Sequence, residues 1–312
     1  MRASKKLVIL SIEYFGVIFK MESHIWRTTG KFSFATVILL LAICNSGLGF
    51  FISRPNNSSV ELDAHHIQQF IVGGKKASDG EFKAQAALCK HKPDHLVLRC
   101  ACTIVSVCHA LTAGHCVWGF QETPEKFRIL CGVTNVEEYD PNRDVFTVDK
   151  IYIHDNYENS LPPKNDIAMC RVREKFSDHS KLAPARLPTS RPRANQMGTA
   201  CGWGLVSPDK KVISPDLMRV DMPVMDIYKC YGYYAPKVKV DTVGCVCGGY
   251  GQYGPSICNG DSGGPFYCNG EMIGVASWGH QKCKGYPSVF TSTYAHREFI
   301  ERCMADVDDK AY

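Results

Sequence analysis

The sequence predicts an all-β protein, a barrel or a sandwich, closed by one C-terminal helix. Two observations carry this expectation. From residue 71 onward the chain breaks into many short β segments, among them LVLRCACTIVS, FRILCGV, VFTVDKIYI and MIGVAS, separated by clusters of Gly, Pro, Asn and Asp. Short strands with turn residues between them are the pattern of sheets that pair face to face or close on themselves. Against these stands a single helical period near the end, where Tyr294, Phe299, Ile300 and Cys303 approximate a 3- to 4-residue period. That helix is expected to cap the barrel.

The N-terminal region has another character. Residues 34–44 (FATVILLLAIC) form an apolar run of 11, with Arg27 and Lys31 upstream and Asn45-Ser46-Gly47 after it. This is the layout of a signal peptide. Carried on through Phe51 the span approaches membrane-crossing length, so an uncleaved signal anchor is the alternative; either form exports the rest of the chain. A second apolar stretch, LVILSIEYFGVIF, comes before it, which makes Met21 an alternative start. Asn56 and Asn57 open two overlapping glycosylation sequons, with room for one glycan.

Composition narrows the class. With 312 residues, 45% hydrophobic and 21% charged, the chain can bury a sizeable core, which excludes a mini-protein held only by disulfides. Sixteen cysteines at scattered spacings point to an oxidising compartment. The C-x-C pairs Cys100/Cys102 and Cys245/Cys247 lack the further paired His or Cys of a zinc module. Net charge is +5, and the first 70 residues hold seven Lys/Arg against four Asp/Glu. No long run of like charge exists, so no nucleic-acid footprint is expected. No repeat with a period of 20 to 50 residues and no low-complexity tract is present.

Three segments carry the chemistry. Hydrolysis of an acyl bond by a side chain needs a hydroxyl, a base for its proton, a carboxylate to orient the base and donors for the oxyanion. In Gly260-Asp261-Ser262-Gly263-Gly264-Pro265 the glycines allow a tight backbone with exposed amides. Ser262 is the candidate nucleophile, and Gly260 and Ser262 are the candidate oxyanion donors. His115, in Leu111-Thr112-Ala113-Gly114-His115-Cys116, ends an apolar strand where its ring can project into a cleft. Asp166, in Asn165-Asp166-Ile167-Ala168-Met169-Cys170, stands directly before a buried-looking strand. Taken singly, each has a bland reading as a turn serine, a surface histidine or a strand-capping carboxylate.

Together, in the order His, Asp, Ser, the segments resemble the trypsin/chymotrypsin family of serine proteases over residues 71–304. The resemblance implies two six-stranded antiparallel β-barrels with a C-terminal helix and an active site in the cleft between them. It implies His115 as base and then acid, Asp166 as its orienting carboxylate and Ser262 as nucleophile. Ile71-Val72-Gly73-Gly74 is similar to the family's new N-terminus after zymogen cleavage, whose ammonium pairs with the aspartate before the nucleophile, here Asp261. The expected organisation is a signal-peptide region over 1–46, a propeptide over 47–70 and a protease domain over 71–312.

By the same resemblance Ser256 forms the floor of the primary specificity pocket, with Ile257 beside it, Gly279 leaving a wall open and Ser288 narrowing the bottom. A trypsin-like member has aspartate at the floor. An uncharged pocket favours Phe, Tyr, Leu or Met over Arg or Lys. Ser277, Trp278 and Gly279 offer the backbone edge on which substrate pairs as an added strand. Phe70 precedes the activation bond where the family has Arg or Lys, so the activator is expected to be a chymotrypsin-like protease or the enzyme itself. Family pairing gives Cys100–Cys116, Cys230–Cys247 and Cys258–Cys283, and Cys201–Cys268 is offered as a fourth. The family position for the partner of Cys268 is Gly198 here. Fifteen cysteines follow residue 71, an odd number, so at least one is left over, and several are expected to act as small buried hydrophobes. Val133 follows Gly132 where a calcium ligand would be wanted, so neither metal nor cofactor is expected. Expected partners are protein or peptide substrates, the activator and protein protease inhibitors; a secreted, extracellular monomer is expected. The alternatives are a catalytically silent relative that binds or regulates, and a cysteine-rich adhesion module.

Overall fold

The computed structural model describes residues 74–207, 212–251, 254, 256–258, 260–280, 283 and 285–306, with short strands at 13–14, 17–18 and 60–62. Met21, the apolar run 34–44, Asn56, Asn57, Phe70 and Ile71 lie outside the described residues. Strands β1 (Glu13–Tyr14) and β2 (Val17–Ile18) pair with each other. β3 (Val60–Leu62) lies parallel to Leu96–Leu98.

Two closed antiparallel barrels make up the body. The first is formed by β5 (Gln85–His91), β6 (Leu96–Ile104), β7 (His109–Thr112), β8 (Phe127–Cys131), β9 (Val145–Ile153) and β10 (Ala168–Val172). Its order is β6-β5-β8-β9-β10-β7, and the β6–β7 pairing closes it. The second is formed by β11 (Met197–Gly202), β14 (Met218–Met225), β15 (Cys245–Gly248), β16 (Pro265–Cys268), β17 (Glu271–Trp278) and β18 (Ser288–Ser292), closed by β11–β14. β4 (Lys75–Lys76) adds to the outside of β14, and β12 (Leu205–Ser207) pairs with β13 (Val212–Ile213) as a hairpin of its own. The two-barrel architecture implied by the resemblance is therefore the observed fold.

Closure pairs the end strands of each six-stranded barrel with each other, and it lets β6 bury eight of its nine residues. Phe127, Ile129, Phe146, Ile167 and Phe176 fill the first barrel. In the second, Phe266 stacks on Phe290 with centroids 4.6 Å apart; burying such a ring contributes on the order of 1.5–3 kcal/mol. A third cluster joins Leu98 and Leu130 of the first barrel to Trp203, Leu217 and Cys258 of the second, so the barrels share a dry seam.

Among the described residues three α-helices accompany the strands: α1 (Gly114–Val117), α2 (Ile227–Tyr234) and α3 (Arg297–Met304). α3 is the predicted closing helix, with Phe299, Ile300 and Cys303 buried. α2 departs from the expectation of a single helix. Its sequence, IYKCYGYY, with four tyrosines and the β-branched Ile227, reads as strand. What makes it helical is Asp226, whose carboxylate caps the amides of Tyr228 and Lys229, and the tethering of Cys230 to Cys247.

Cys100–Cys116, Cys230–Cys247 and Cys258–Cys283 are bonded. The Cys201–Cys268 pairing offered from the sequence is corrected: both are unpaired. Cys268 lies opposite Gly198 in the β11–β16 register. Cys201, three residues further along, is about 10 Å away along the strand and faces the other side of the sheet, beyond the roughly 4.4–6.8 Å Cα separation a disulfide tolerates. The Cys201 thiol donates to Gln85 Oε1 at 3.2 Å instead. Cys89, Cys102, Cys108, Cys131, Cys170, Cys245 and Cys303 are also unpaired, all but Cys245 buried. Burial pushes the thiols of Cys89 and Cys170 up to about 12, which suits inert core residues.

Candidate active site

β7 ends at Thr112, and α1 begins two residues later, so His115 leaves the first barrel on a rigid single turn pinned by the Cys100–Cys116 bond. Asp166 directly precedes the turn into β10, the neighbour of β7. The shared register brings the two together: His115 Nδ1 lies 2.8 Å from Asp166 Oδ2, and the His115 backbone amide donates to Oδ1 at 2.8 Å. The Ser277 hydroxyl donates to Oδ2 at 2.5 Å, and Thr291 Oγ1 donates to the Asp166 carbonyl at 2.8 Å. Asp166 is buried and His115 half-buried. These contacts place a proton on Nδ1 and leave Nε2, 3.7 Å from Cys116 Sγ, as the acceptor.

Electrostatics follow from the same contacts. Burial alone would raise the Asp166 carboxyl; the His115 charge, the His115 hydrogen bonds and the Ser277 hydroxyl together outweigh it and hold the group below the usual carboxylate value. For His115, burial lowers the value, the Asp166 charge and hydrogen bond raise it by more, and Arg99 lowers it slightly. The net shift is upward. Arg99 Nε donates to the Cys116 carbonyl at 2.5 Å, beside the imidazole.

The Gly260–Gly264 turn comes from the second barrel and docks on the first. The Ala101 amide of β6 donates to the Ser262 carbonyl at 2.8 Å, and the Gly263 and Gly264 amides donate to Ala276 and Asp261. Gly263, at φ +80°, must be glycine: a Cβ would lie 2.3 Å from both the Ala101 carbonyl and Thr112 Oγ1, beside the Ala113 amide. Ser262 is thus held by its backbone against the two strands that lead to His115.

Asp261 is buried under the same turn and accepts from the amides of Cys258 at 2.9 Å and Gly204 at 3.0 Å. Burial pushes its carboxyl up to about 7, the two amides pulling the other way. Gly202 gives it room, since a Cβ there would lie 2.2 Å from Oδ1.

Ser256, Ile257 and Ser288 are buried together, with the Ile257 amide donating to Ser288 Oγ at 3.2 Å and the Ser256 hydroxyl donating to the Cys283 carbonyl. Trp278 packs edge-on against Tyr234 with centroids 4.8 Å apart, and the Tyr234 hydroxyl donates to the Pro287 carbonyl. Gly279 follows, part-exposed. Cys100, His115 and Cys116 also bring ligand-type atoms within 4.8 Å of one another, but the two sulfurs are bonded to each other and offer no thiolate to a metal.

Sequence reasoning gave Ser277 a place in the specificity pocket and on its substrate-pairing edge, and did not single out Thr291 or Tyr234 at all. Their contacts with Asp166 and Trp278 span more than a hundred residues for the first two and 44 for the third, and no local motif marks them.

Two barrels with a buried carboxylate on an imidazole at their junction define the serine endopeptidases of the double-barrel class, and the comparisons agree. The Trypsin family model matches residues 71–300, so the chain belongs to that family. Trypsin-1 of Astacus astacus is 30% identical over 238 residues, covering 74% of this chain and 98% of that protein. The thrombin-like enzyme calobin-1 of Gloydius ussuriensis is 28% identical over 252 residues, covering 79% and 92%. The structure is similar to that of mouse neuropsin, a serine protease expressed in the limbic system, with TM-score 0.64 and 26% identity over 75% of this chain and all of that one. The protein is a serine-type endopeptidase.

Proposed function

We propose that this endopeptidase acts through Ser262, His115 and Asp166, after apolar or aromatic residues, as a secreted enzyme made as a zymogen. The observation that carries the catalytic reading is the imidazole–carboxylate pair of His115 and Asp166 standing at the end of the strands on which the Ser262 turn is docked. In the reaction Ser262 Oγ attacks the peptide carbonyl while its proton passes to His115 Nε2. The Gly260 and Ser262 amides hold the resulting oxyanion. Collapse expels the amine, which takes the proton from Nε2, and leaves an acyl ester on Ser262. Water repeats the sequence to free the acid. Asp166 keeps the Nδ1 proton in place and steadies the imidazolium.

Labelling with a fluorophosphonate tests this directly in protein beginning at Ile71. The expected result is one label that Ser262→Ala removes; no label on the unsubstituted protein would return the chain to the catalytically silent reading. The raised His115 value gives a pH test as well. The base works neutral, so kcat/KM is expected to fall in acid with a midpoint above the ordinary 6.5. A midpoint well below 6.5 would contradict the coupling to Asp166. The sign for stability is opposite: the protonated pair stabilises the fold below 6.5, and that contribution is lost as pH rises through the raised value.

The specificity reading rests on the uncharged floor. With the Ser256 hydroxyl committed to the Cys283 carbonyl, a buried Lys or Arg side chain would find no counter-charge. Phe, Tyr, Leu and Met fit better, and a peptide library varied at the residue before the scissile bond is expected to rank them over Arg and Lys.

Phe70 at the activation bond is compatible with that same pocket, which supports self-cleavage or a chymotrypsin-like activator. Purified zymogen is expected to convert faster than its Ser262→Ala form; equal conversion would assign the cut to another protease. No cysteine lies in residues 47–70, so the propeptide of this reading leaves after the cut. Export is supported by the apolar run at 34–44, by the three disulfides, and by relatives whose names place them in venom, such as the venom plasminogen activator of Lachesis muta muta.

A further inference from the structure

Against Ser277 and Trp278 lies a recess of about 460 Å³. One wall is the loop from Glu158 to Asn165, the other is the segment Lys237–Asp241, and Ser277 and Trp278 form its base. A peptide added as a strand along Ser277–Gly279, with its reactive carbonyl at Ser262, lays the residues ahead of that carbonyl over this recess.

The charges around it are unequal in availability. Glu158 and Lys164 neutralise each other across 2.7 Å. Asp241 turns into its own loop, where Oδ1 accepts from the Val243 amide at 2.9 Å and Oδ2 lies 2.3 Å from where a Gly244 Cβ would be. Lys237 and Lys239 remain. Both are exposed, and among the described residues neither has an acidic partner. They alternate with Val238 and Val240, which pack with Trp278 and the Cys230–Cys247 bridge. The backbone is thereby anchored where the turn after α2 ends at Lys237, and Lys237 and Lys239 both line the recess.

We propose that Lys237 and Lys239 form a subsite for an acidic side chain, Asp or Glu, two to four residues ahead of the scissile bond. The proposal rests on the catalytic reading above and adds a substrate class to it. A carboxylate entering the recess gains two cations and the apolar base of Trp278, while a Lys or Arg side chain meets like charge. Exposed pairs are weak and partly sheltered ones stronger, so a preference of roughly three- to tenfold in kcat/KM for Glu over Gln is expected at low salt. It shrinks in about 0.5 M NaCl, where screening acts within a few ångströms. The enzyme's own activation bond lacks the feature, since Ile67, Gln68 and Gln69 stand at those positions.

The test uses protein beginning at Ile71 and a fluorogenic library randomised at the residue before the scissile bond, with Glu, Gln or Lys at each of the three preceding positions. The expected result is the acidic preference at one or more positions, its loss in Lys237→Gln/Lys239→Gln and its reversal in Lys237→Glu/Lys239→Glu. Fluorophosphonate labelling of Ser262 should be equal in all forms. Equal rates for Glu and Gln at every position, or a preference that survives the double Gln variant, overturns the proposal. Labelling that fails along with hydrolysis marks failure of the catalytic reading; labelling that persists without acidic preference marks failure of the subsite alone.

Discussion

Asp166→Asn is expected to lower kcat by on the order of 10⁴-fold with the fold intact, the size of effect this change has had in another protease of the family. The reason lies in the three donors that converge on the carboxylate: the His115 amide, His115 Nδ1 and the Ser277 hydroxyl. An amide side chain has one acceptor oxygen and one NH₂ in place of two acceptors. If its oxygen serves the His115 amide, its NH₂ faces Nδ1, and the imidazole must carry its proton on Nε2. That is the nitrogen required to accept the Ser262 proton. Loss of the charge also removes what raises His115, so the acid midpoint should move down together with kcat. Stopped-flow and steady-state rates across pH 5–9, with near-ultraviolet circular dichroism to show retained packing, check both effects. A variant with kcat within tenfold of the parent would remove Asp166 from the proposed triad.

The second large effect concerns Asp261. In the described state its carboxyl is buried on two backbone amides and raised to about 7 from an ordinary 3.8. The folded chain therefore binds this proton more tightly than the unfolded chain does. By linkage, stability of the uncut protein should decline as pH rises from about 4 to 7, by up to about 4 kcal/mol at 1.36 kcal/mol per unit. Asp261→Asn should flatten that slope, as read from urea midpoints at each pH. After cleavage, an Ile71 ammonium at the carboxylate would depress its pKa and reverse the sign. Breaking a buried pair of this kind costs about 3–5 kcal/mol, so the cut Asp261→Asn protein should hydrolyse peptides some 10²- to 10⁴-fold more slowly while being cut at the same bond. Full activity in the cut variant would sink the switch.

Legibility in the sequence varied with how local each cause was. The closing helix was readable because Phe299, Ile300 and Cys303 repeat along one face, a pattern set within two turns. α2 was not, because its composition favours strand and its capping carboxylate acts only once β14 has delivered the chain at the right angle. Cys201 and Cys268 show the same limit from the other side. Both lie on paired strands, and only the register, with Gly198 rather than Cys201 opposite Cys268, rules the bond out. The candidate subsite draws its walls and base from residues 158–165, 237–241 and 277–278, three stretches with no shared motif.

By itself, then, the amino-acid order determined what short-range sterics and chemistry can encode: which residues bear a hydroxyl, an imidazole or a carboxylate in a rigid turn, where strands break, and that the family's three cysteine pairs were available. Tertiary structure alone decided that Asp166 meets an imidazole 51 residues earlier and a serine 111 residues later, and that nine of the described cysteines stay unpaired, eight of them buried. The physical reason is range. Backbone and side-chain preferences act over a few residues, whereas barrel closure and register are set by burial summed over the whole domain, which no local stretch contains.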